Sequence, residues 1–279
     1  MISNGTIAAC IATLFVGLVF PILCLLVYGI RNRKQGVWSA WLLGAAGFFV
    51  AQLLIRTPIL NALAALNGFA AFSREHPWLM GVLLAVTAAL FELASRLGAA
   101  LAMRKRLTLR RAVAAGMGHG GIEAILLIGM TYLNNLVYIV LIRTGGFDAL
   151  LSQTAAAGVD TSSLLAIRES LVGLSPWLFL LAGYERLLTM LCHTAMSVMV
   201  CYGVYRKRAI PWLLGCFGMH TLLDCTAGLG NLMSMGWSQN ACYALIYLTL
   251  TILTGICTVV LVWICRAWQG ESKNRIVSG

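Results

Sequence analysis

The sequence alternates between long apolar runs and short polar or basic stretches. Each run has about the 20 residues that a helix needs to cross a bilayer, and none shows the apolar–polar alternation of a barrel strand. The pattern predicts an all-α polytopic membrane helix bundle of about seven transmembrane helices, forming a single integral membrane domain over residues 1–279 with a candidate core at about 77–230. The predicted spans lie at about 7–30, 38–60, 78–103, 112–142, 176–202, 211–229 and 241–264.

The composition is typical of a membrane protein, and the distribution of basic residues among the loops predicts its orientation in the bilayer. The chain is 60% hydrophobic and 10% charged, with a mean hydropathy of +0.88, which no soluble domain can bury. The net charge of +11 comes from Lys and Arg at span ends, which argues against a nucleic-acid partner and for the lipid bilayer. Loops after spans one, three, five and seven hold 3, 5, 3 and 3 basic residues, against 1, 2 and 0 in the others. The positive-inside rule predicts an outer N-terminus, a cytoplasmic C-terminus and insertion in the cytoplasmic membrane.

Two features of the sequence resemble known sites but do not meet their requirements. The nine cysteines form no CxxC pair and fall within or beside apolar runs, so they are interpreted as small buried hydrophobic residues. The stretch from Gly116 to Gly121 matches the dinucleotide fingerprint GxGxxG, but it lies in a membrane helix rather than after a strand. Its glycines instead predict close approach of a neighbouring helix.

Ionisable residues inside the spans are the strongest functional signal, because they are costly in a membrane and tend to mark sites. Several are four residues apart, which places them on one helix face. Taken singly, each pair is also typical of a structural ion pair. The set comprises Glu92 and Arg96 on span three, His119 and Glu123 on span four, Glu185, Arg186 and His193 on span five, and His220 and Asp224 on span six.

Depth in the membrane ties these residues together. Four of them, on four spans, are twelve or thirteen residues from the nearest cytoplasmic basic residue, or roughly 18–20 Å at ~1.5 Å per residue. They are Glu92, Glu123, His193 and His220. On the same conversion, His119 is expected at about 12 Å and Asp224 at about 24 Å. Independent placement would scatter these groups, so the sequence predicts a single polar site.

In these motifs the chain resembles the YhfC-type intramembrane metalloproteases, distant relatives of the CAAX-processing and bacteriocin-immunity membrane proteases and of PrsW. The residues that carry the resemblance are Phe91-Glu92-x-x-x-Arg96, Gly118-His119-Gly120-Gly121-x-Glu123, Glu185-Arg186 with His193, and His220-x-x-x-Asp224. The wider superfamily has a Glu-Glu pair before the arginine, whereas here Leu93 follows Glu92. The resemblance implies a membrane-embedded protease and leaves open whether Glu92 or Glu123 is the base.

The residue types suit amide hydrolysis, which needs an activated water, a stabilised oxyanion and a proton for the leaving amine. The candidate catalytic residues are Glu92, Arg96, Glu123, Glu185 and Asp224, and the candidate metal ligands are His119, His193 and His220. Zn²⁺ is the expected metal, with Asp224 as a ligand or as a group that orients one; a metal-free glutamate mechanism is the alternative. The expected substrate is a membrane-embedded or membrane-proximal peptide. A proton-coupled transporter that uses the same cluster as a relay, and a non-catalytic scaffold, are the competing interpretations.

Overall fold

The computed structural model describes residues 2–277, apart from the side chains of residue 273 and residues 275–277. Its frame is a set of long helices, which we number in chain order. They are α1 (Asn4–Arg31), α2 (Val37–Ala64), α3 (Pro77–Ala102), α4 (Leu109–Thr144), α5 (Pro176–Tyr205), α6 (Ala209–Gly228) and α7 (Gln239–Val277). No strand occurs among the described residues, so the all-α polytopic bundle predicted from the sequence is confirmed.

Six of these helices are long and apolar enough to cross a membrane. The exception is α6, whose mean hydropathy is lowered by His220 and Asp224. The count of seven spans and the orientation of the termini therefore stay predictions. Shorter helices connect the long ones at Asn67–Glu75, Gly146–Ala156 and Ser162–Gly173.

Local chemistry sets the helix ends. Pro77 and Pro176 begin α3 and α5, where the missing N–H of proline costs nothing. Gly36 precedes α2 and Gly145 follows α4, both at positive φ (66° and 78°), which glycine adopts without a steric penalty. Within the long helices, π-helical turns occur at Phe15–Val19, Phe49–Arg56 and Ile125–Gly129.

The chain divides into two compact units, and the expectation of a single domain stays a prediction. Unit 1 contains Met1–Leu23 and Glu123–Leu187. Thr13 Oγ1 and Tyr132 Oη both donate to the Phe179 carbonyl oxygen, at 2.8 and 3.1 Å. These two bonds link three helices of the unit across its apolar core.

Unit 2 contains Cys24–Ile122 and Leu188–Gly279. In it α3 packs against both α2 and α6. Small and apolar side chains from these helices, from α5 and from α7 fill the core, and all nine cysteines of the chain are free thiols. Unit 2 also buries most of the ionisable residues that the sequence singled out.

Candidate active site

The carboxylate of Glu92, on α3 in unit 2, is the centre of a buried polar cluster. Its Oε2 atom lies 2.8 Å from His119 Nε2 and 3.6 Å from both His193 Nδ1 and His220 Nε2. Its Oε1 atom accepts a hydrogen bond of 2.6 Å from Gln52 Nε2. Glu92 is only 4% exposed; its Oε2 faces the histidines and its Oε1 is held by the Gln52 amide.

Arg96, one turn after Glu92, forms the predicted i,i+4 ion pair and reaches further. Its Nη2 lies 3.0 Å from Glu92 Oε2 and also donates to His193 Nδ1, while Nη1 donates to His220 Nδ1 at 3.2 Å. A guanidinium has donors and no acceptor, so both Nδ1 atoms must accept. Neutral His193 and His220 therefore carry their protons on Nε2.

Ring contacts fix the imidazoles relative to one another. His119 and His193 stack with centroids 5.3 Å apart, and His193 meets His220 edge-on at 5.6 Å. His220 Nε2 lies 3.3 Å from Asp224 Oδ2, as the spacing predicted. The three histidines are at most 6% exposed, whereas the Asp224 side chain is 34% exposed. Asp224 thus forms the accessible edge of the cluster.

Glycines on α4 allow His119 to reach this position. A Cβ atom on Gly118 would collide with the Trp41 carbonyl oxygen, and one on Gly116 would lie 2.6 Å from Thr194 Cα. A Cβ on Gly120 would lie 3.0 Å from His193 Cβ. The close helix approach expected from these glycines is confirmed, and it brings His119 against α2 and α5.

Gln52 and Arg56 belong to the cluster but were not singled out as site residues from the sequence. Both lie in the π-helical turn Phe49–Arg56 of α2, a kind of distortion that often occurs at functional sites. Arg56 donates to Gln52 Oε1 at 3.1 Å and to the Leu84 carbonyl at 2.7 Å, and the Gln52 amide donates to Glu92. The sequence does contain one signal for these two residues: they are polar and lie four apart in an apolar run.

Glu123, Glu185 and Arg186 form an ion-pair cluster in unit 1. Arg186 Nη1 lies 2.8 Å from Glu123 Oε1, and Nη2 pairs with Glu185 Oε1. Glu123 and Arg186 side chains are 11% and 10% exposed, and Glu185 is 37% exposed. His119 therefore bonds to Glu92, whereas the carboxylate one turn further along α4 bonds to Arg186. Catalytic roles for Glu123 and Glu185 stay predictions.

The cluster in unit 2 has the donors for a metal ion. Glu92, His119 and His193 each offer one ligand atom, and these atoms all lie within 4.8 Å of one another. Two imidazoles and a carboxylate are the ligand class of several catalytic zinc sites, which keep a fourth position open for water. The residues present thus fit zinc in type and spacing. The third ligand in this set is Glu92, which the sequence predicted as a catalytic residue. The predicted ligand His220 is not in the set, although its Nε2 lies 3.6 Å from Glu92 Oε2.

The fold and the site together define a class: helical multi-span membrane proteins with a buried Glu/His cluster that can hold a metal. The chain matches the model of the YhfC intramembrane metalloprotease family over residues 16–248, and it belongs to that family. It is also similar to the membrane protein YhfC of Bacillus subtilis (strain 168), at 30% identity over 200 residues that cover 71% of this chain and 76% of the relative. No solved structure matches the chain significantly. The resemblance drawn from the motifs is confirmed.

Proposed function

We propose that the protein is a peptidase of the cytoplasmic membrane that hydrolyses a peptide bond in a membrane-embedded or membrane-proximal substrate. One observation carries the proposal. A carboxylate oxygen of Glu92 lies within 3.6 Å of nitrogens from three histidines, in a buried position. A buried carboxylate placed beside several imidazole nitrogens suits proton transfer during amide hydrolysis.

The chain's own residues account for the proton transfers as follows. The carboxylate of Glu92 takes a proton from water as the water oxygen attacks the substrate carbonyl carbon. The negative charge that develops on the carbonyl oxygen is stabilised by N–H donors, for which the guanidinium of Arg96 is the candidate. Glu92 then passes its proton to the leaving nitrogen as the C–N bond breaks. Asp224 lies 3.3 Å from His220 Nε2 and so holds this imidazole in place beside Glu92 and Arg96.

Zinc held by Glu92, His119 and His193 would supply a Lewis acid for the water and the substrate carbonyl. The Gln52 amide supports the same cluster by binding the other oxygen of Glu92. The exposed edge at Asp224 supports entry of water from that side.

The test is cleavage of single-span peptides by the purified protein in proteoliposomes, with products identified by mass spectrometry. We expect the wild type to cleave, and His193→Ala to lose about a hundredfold or more of the rate. His76→Ala is the matched control, because this exposed loop histidine contacts only Phe72 among the described rings, and it should keep full activity. Equal rates for wild type and His193→Ala would contradict the proposal. Flux driven by a pH gradient without cleavage would favour the proton-coupled transporter instead.

A further inference from the structure

The bonds of Arg96 determine whether the histidines can bind a metal. A neutral imidazole has a single nitrogen lone pair, because its other nitrogen carries the proton. In His193 that lone pair, on Nδ1, accepts from Arg96 Nη2, and in His220 the lone pair on Nδ1 accepts from Arg96 Nη1 at 3.2 Å. Neither ring can offer a lone pair to a metal while Arg96 keeps both bonds.

The positive charge of Arg96 also opposes metal binding. Arg96 Nη2 lies 3.0 Å from Glu92 Oε2, the oxygen that also contacts His119 Nε2. A zinc ion bound about 2 Å from that oxygen would lie within roughly 5 Å of the guanidinium nitrogen. Two cations at that separation in a buried site repel each other strongly. The metal and the guanidinium thus compete for the same carboxylate oxygen as well as for the imidazoles.

The guanidinium is also incompletely satisfied where it lies. Its Nη edge binds Glu92 and two histidines, but Arg96 Nε is buried without a hydrogen-bond partner among the described residues. A buried N–H without a partner is unfavourable, which lowers the free-energy cost of moving the guanidinium away from the cluster. The arginine side chain has several rotatable bonds, through which its head can leave the histidines while its backbone stays in α3.

We infer that Arg96 is an internal competitor for the metal: a metal ion enters the Glu92–His119–His193 site only as the guanidinium withdraws from the histidine Nδ1 atoms and from Glu92. This inference rests on the proposed function for the presence of a metal, and it adds how metal loading is regulated. Arg96 then keeps the cluster ordered and charge-balanced until a metal takes its place.

The experiment measures Co²⁺ affinity by competition with a chromophoric chelator, on purified protein in detergent, with the visible Co²⁺ spectrum as a second readout. We expect Arg96→Leu to bind Co²⁺ about tenfold or more tightly than the wild type, because three charge-assisted hydrogen bonds, to Glu92 and to the two histidines, and a repulsive charge are removed. The control is Arg111→Leu, which removes an equal charge from α4, the helix of His119. Arg111 donates to Ser39 and not to the cluster, so its loss should leave the affinity unchanged.

A second variant covers the case in which Arg96→Leu does not fold. Arg96→Lys keeps the charge on a single nitrogen, which cannot span Glu92 and both histidines, and it should tighten Co²⁺ binding by a smaller factor. Equal or weaker binding in the folded Arg96 variants overturns the inference, and so does the absence of Co²⁺ binding in every protein. Peptide cleavage on the same preparations is read separately, so failure of the proposed function and failure of this inference remain distinguishable.

Discussion

At the scale of single residues, what surrounds a carboxylate decides what it can do. Glu92 Oε2 pairs with the guanidinium of Arg96 at 3.0 Å, but it also contacts His119 at 2.8 Å and has two further imidazoles within 3.6 Å, with which it can exchange protons. The carboxylate of Glu123 instead pairs with the guanidinium of Arg186, which does not deprotonate in proteins. We therefore propose Glu92 as the base and a stabilising role for Glu123, and the choice that the motifs left open is tested by comparing peptide cleavage in variants of the two residues.

The buried ion pair in unit 1 gives a stability prediction. Glu123→Gln should lower the free energy of unfolding by roughly 2 kcal/mol, because the largely buried guanidinium of Arg186 loses the charge of a carboxylate that lies 2.8 Å away. The thermal midpoint in detergent, followed by circular dichroism, measures this loss. Asp148→Asn is the matched control: it breaks an ion pair with Arg168 whose Asp148 side chain is 71% exposed, and it should change stability by under about 0.5 kcal/mol. Equal losses in both variants would show that burial of the Glu123–Arg186 pair is unimportant.

Residue spacing predicted part of this arrangement. Equal distance from the basic edge placed Glu92, His193 and His220 at one depth, and the structure brings them together. His119, expected about 6 Å shallower than Glu92, lies 2.8 Å from it. Depth along a straight helix takes no account of tilt or of how far two helices approach, and the glycines around His119 change both.

At the scale of elements, the π-helical turn Phe49–Arg56 of α2 supports the site. It directs Gln52 and Arg56 towards α3, where Gln52 binds Glu92 and Arg56 binds the Leu84 carbonyl. Such a turn adds a residue to the helix and rotates the side chains that follow it. The apolar pattern of α2 carries no signal for an i→i+5 bond, so the sequence could not show where Gln52 points.

Gln52→Leu tests this positioning role. Without the amide, Glu92 Oε1 loses its 2.6 Å hydrogen bond, and we expect kcat to fall about tenfold while KM stays the same, since Gln52 orients the base and does not touch the substrate. Steady-state cleavage of a peptide in proteoliposomes gives both constants. Arg56→Met, which removes the group that holds Gln52 Oε1 together with its bond to the Leu84 carbonyl, should lower kcat by a smaller factor. A rise in KM with kcat unchanged would mean that Gln52 contacts the substrate instead.

The glycines of α4 give a second prediction for an element. Gly118→Ala should lower stability by about 1–3 kcal/mol, because its Cβ would collide with the backbone of Trp41 and push α4 away from α2. Gly98→Ala, in α3, is the control: no atom lies within 4 Å of the added Cβ, so stability should be unchanged or slightly higher. Thermal midpoints of the two variants make the comparison, and a Gly118→Ala protein as stable as Gly98→Ala would contradict the close packing described for α4.

At the scale of the whole molecule, the sequence predicted the class of fold because bilayer thickness sets span length and basic residues set orientation. It also predicted a span at about 211–229, which stays a prediction, because His220 and Asp224 lower the hydropathy of α6 and this helix is not among the six that are apolar enough to cross. His220 and Asp224 thus help to predict the polar site, but they weaken the prediction that α6 crosses the membrane.

A topology measurement settles this point. With α6 in the membrane the chain has seven spans, so the termini lie on opposite sides, the N-terminus outside. Alkaline phosphatase, active outside the cytoplasm, and green fluorescent protein, fluorescent inside it, can be fused to each terminus in turn. We expect phosphatase activity at the N-terminus and fluorescence at the C-terminus. Both termini on one side would mean that α6 does not cross.

The central claim is that Glu92, and not Glu123, performs the chemistry of a membrane peptidase. The most direct measurement compares peptide cleavage by wild type, Glu92→Gln and Glu123→Gln in proteoliposomes, below the unfolding temperature of all three. We predict that Glu92→Gln loses about a hundredfold or more of the rate, because an amide can neither take a proton from water nor serve as a carboxylate ligand, while Glu123→Gln cleaves like the wild type. Cleavage by Glu92→Gln at the wild-type rate would contradict this account.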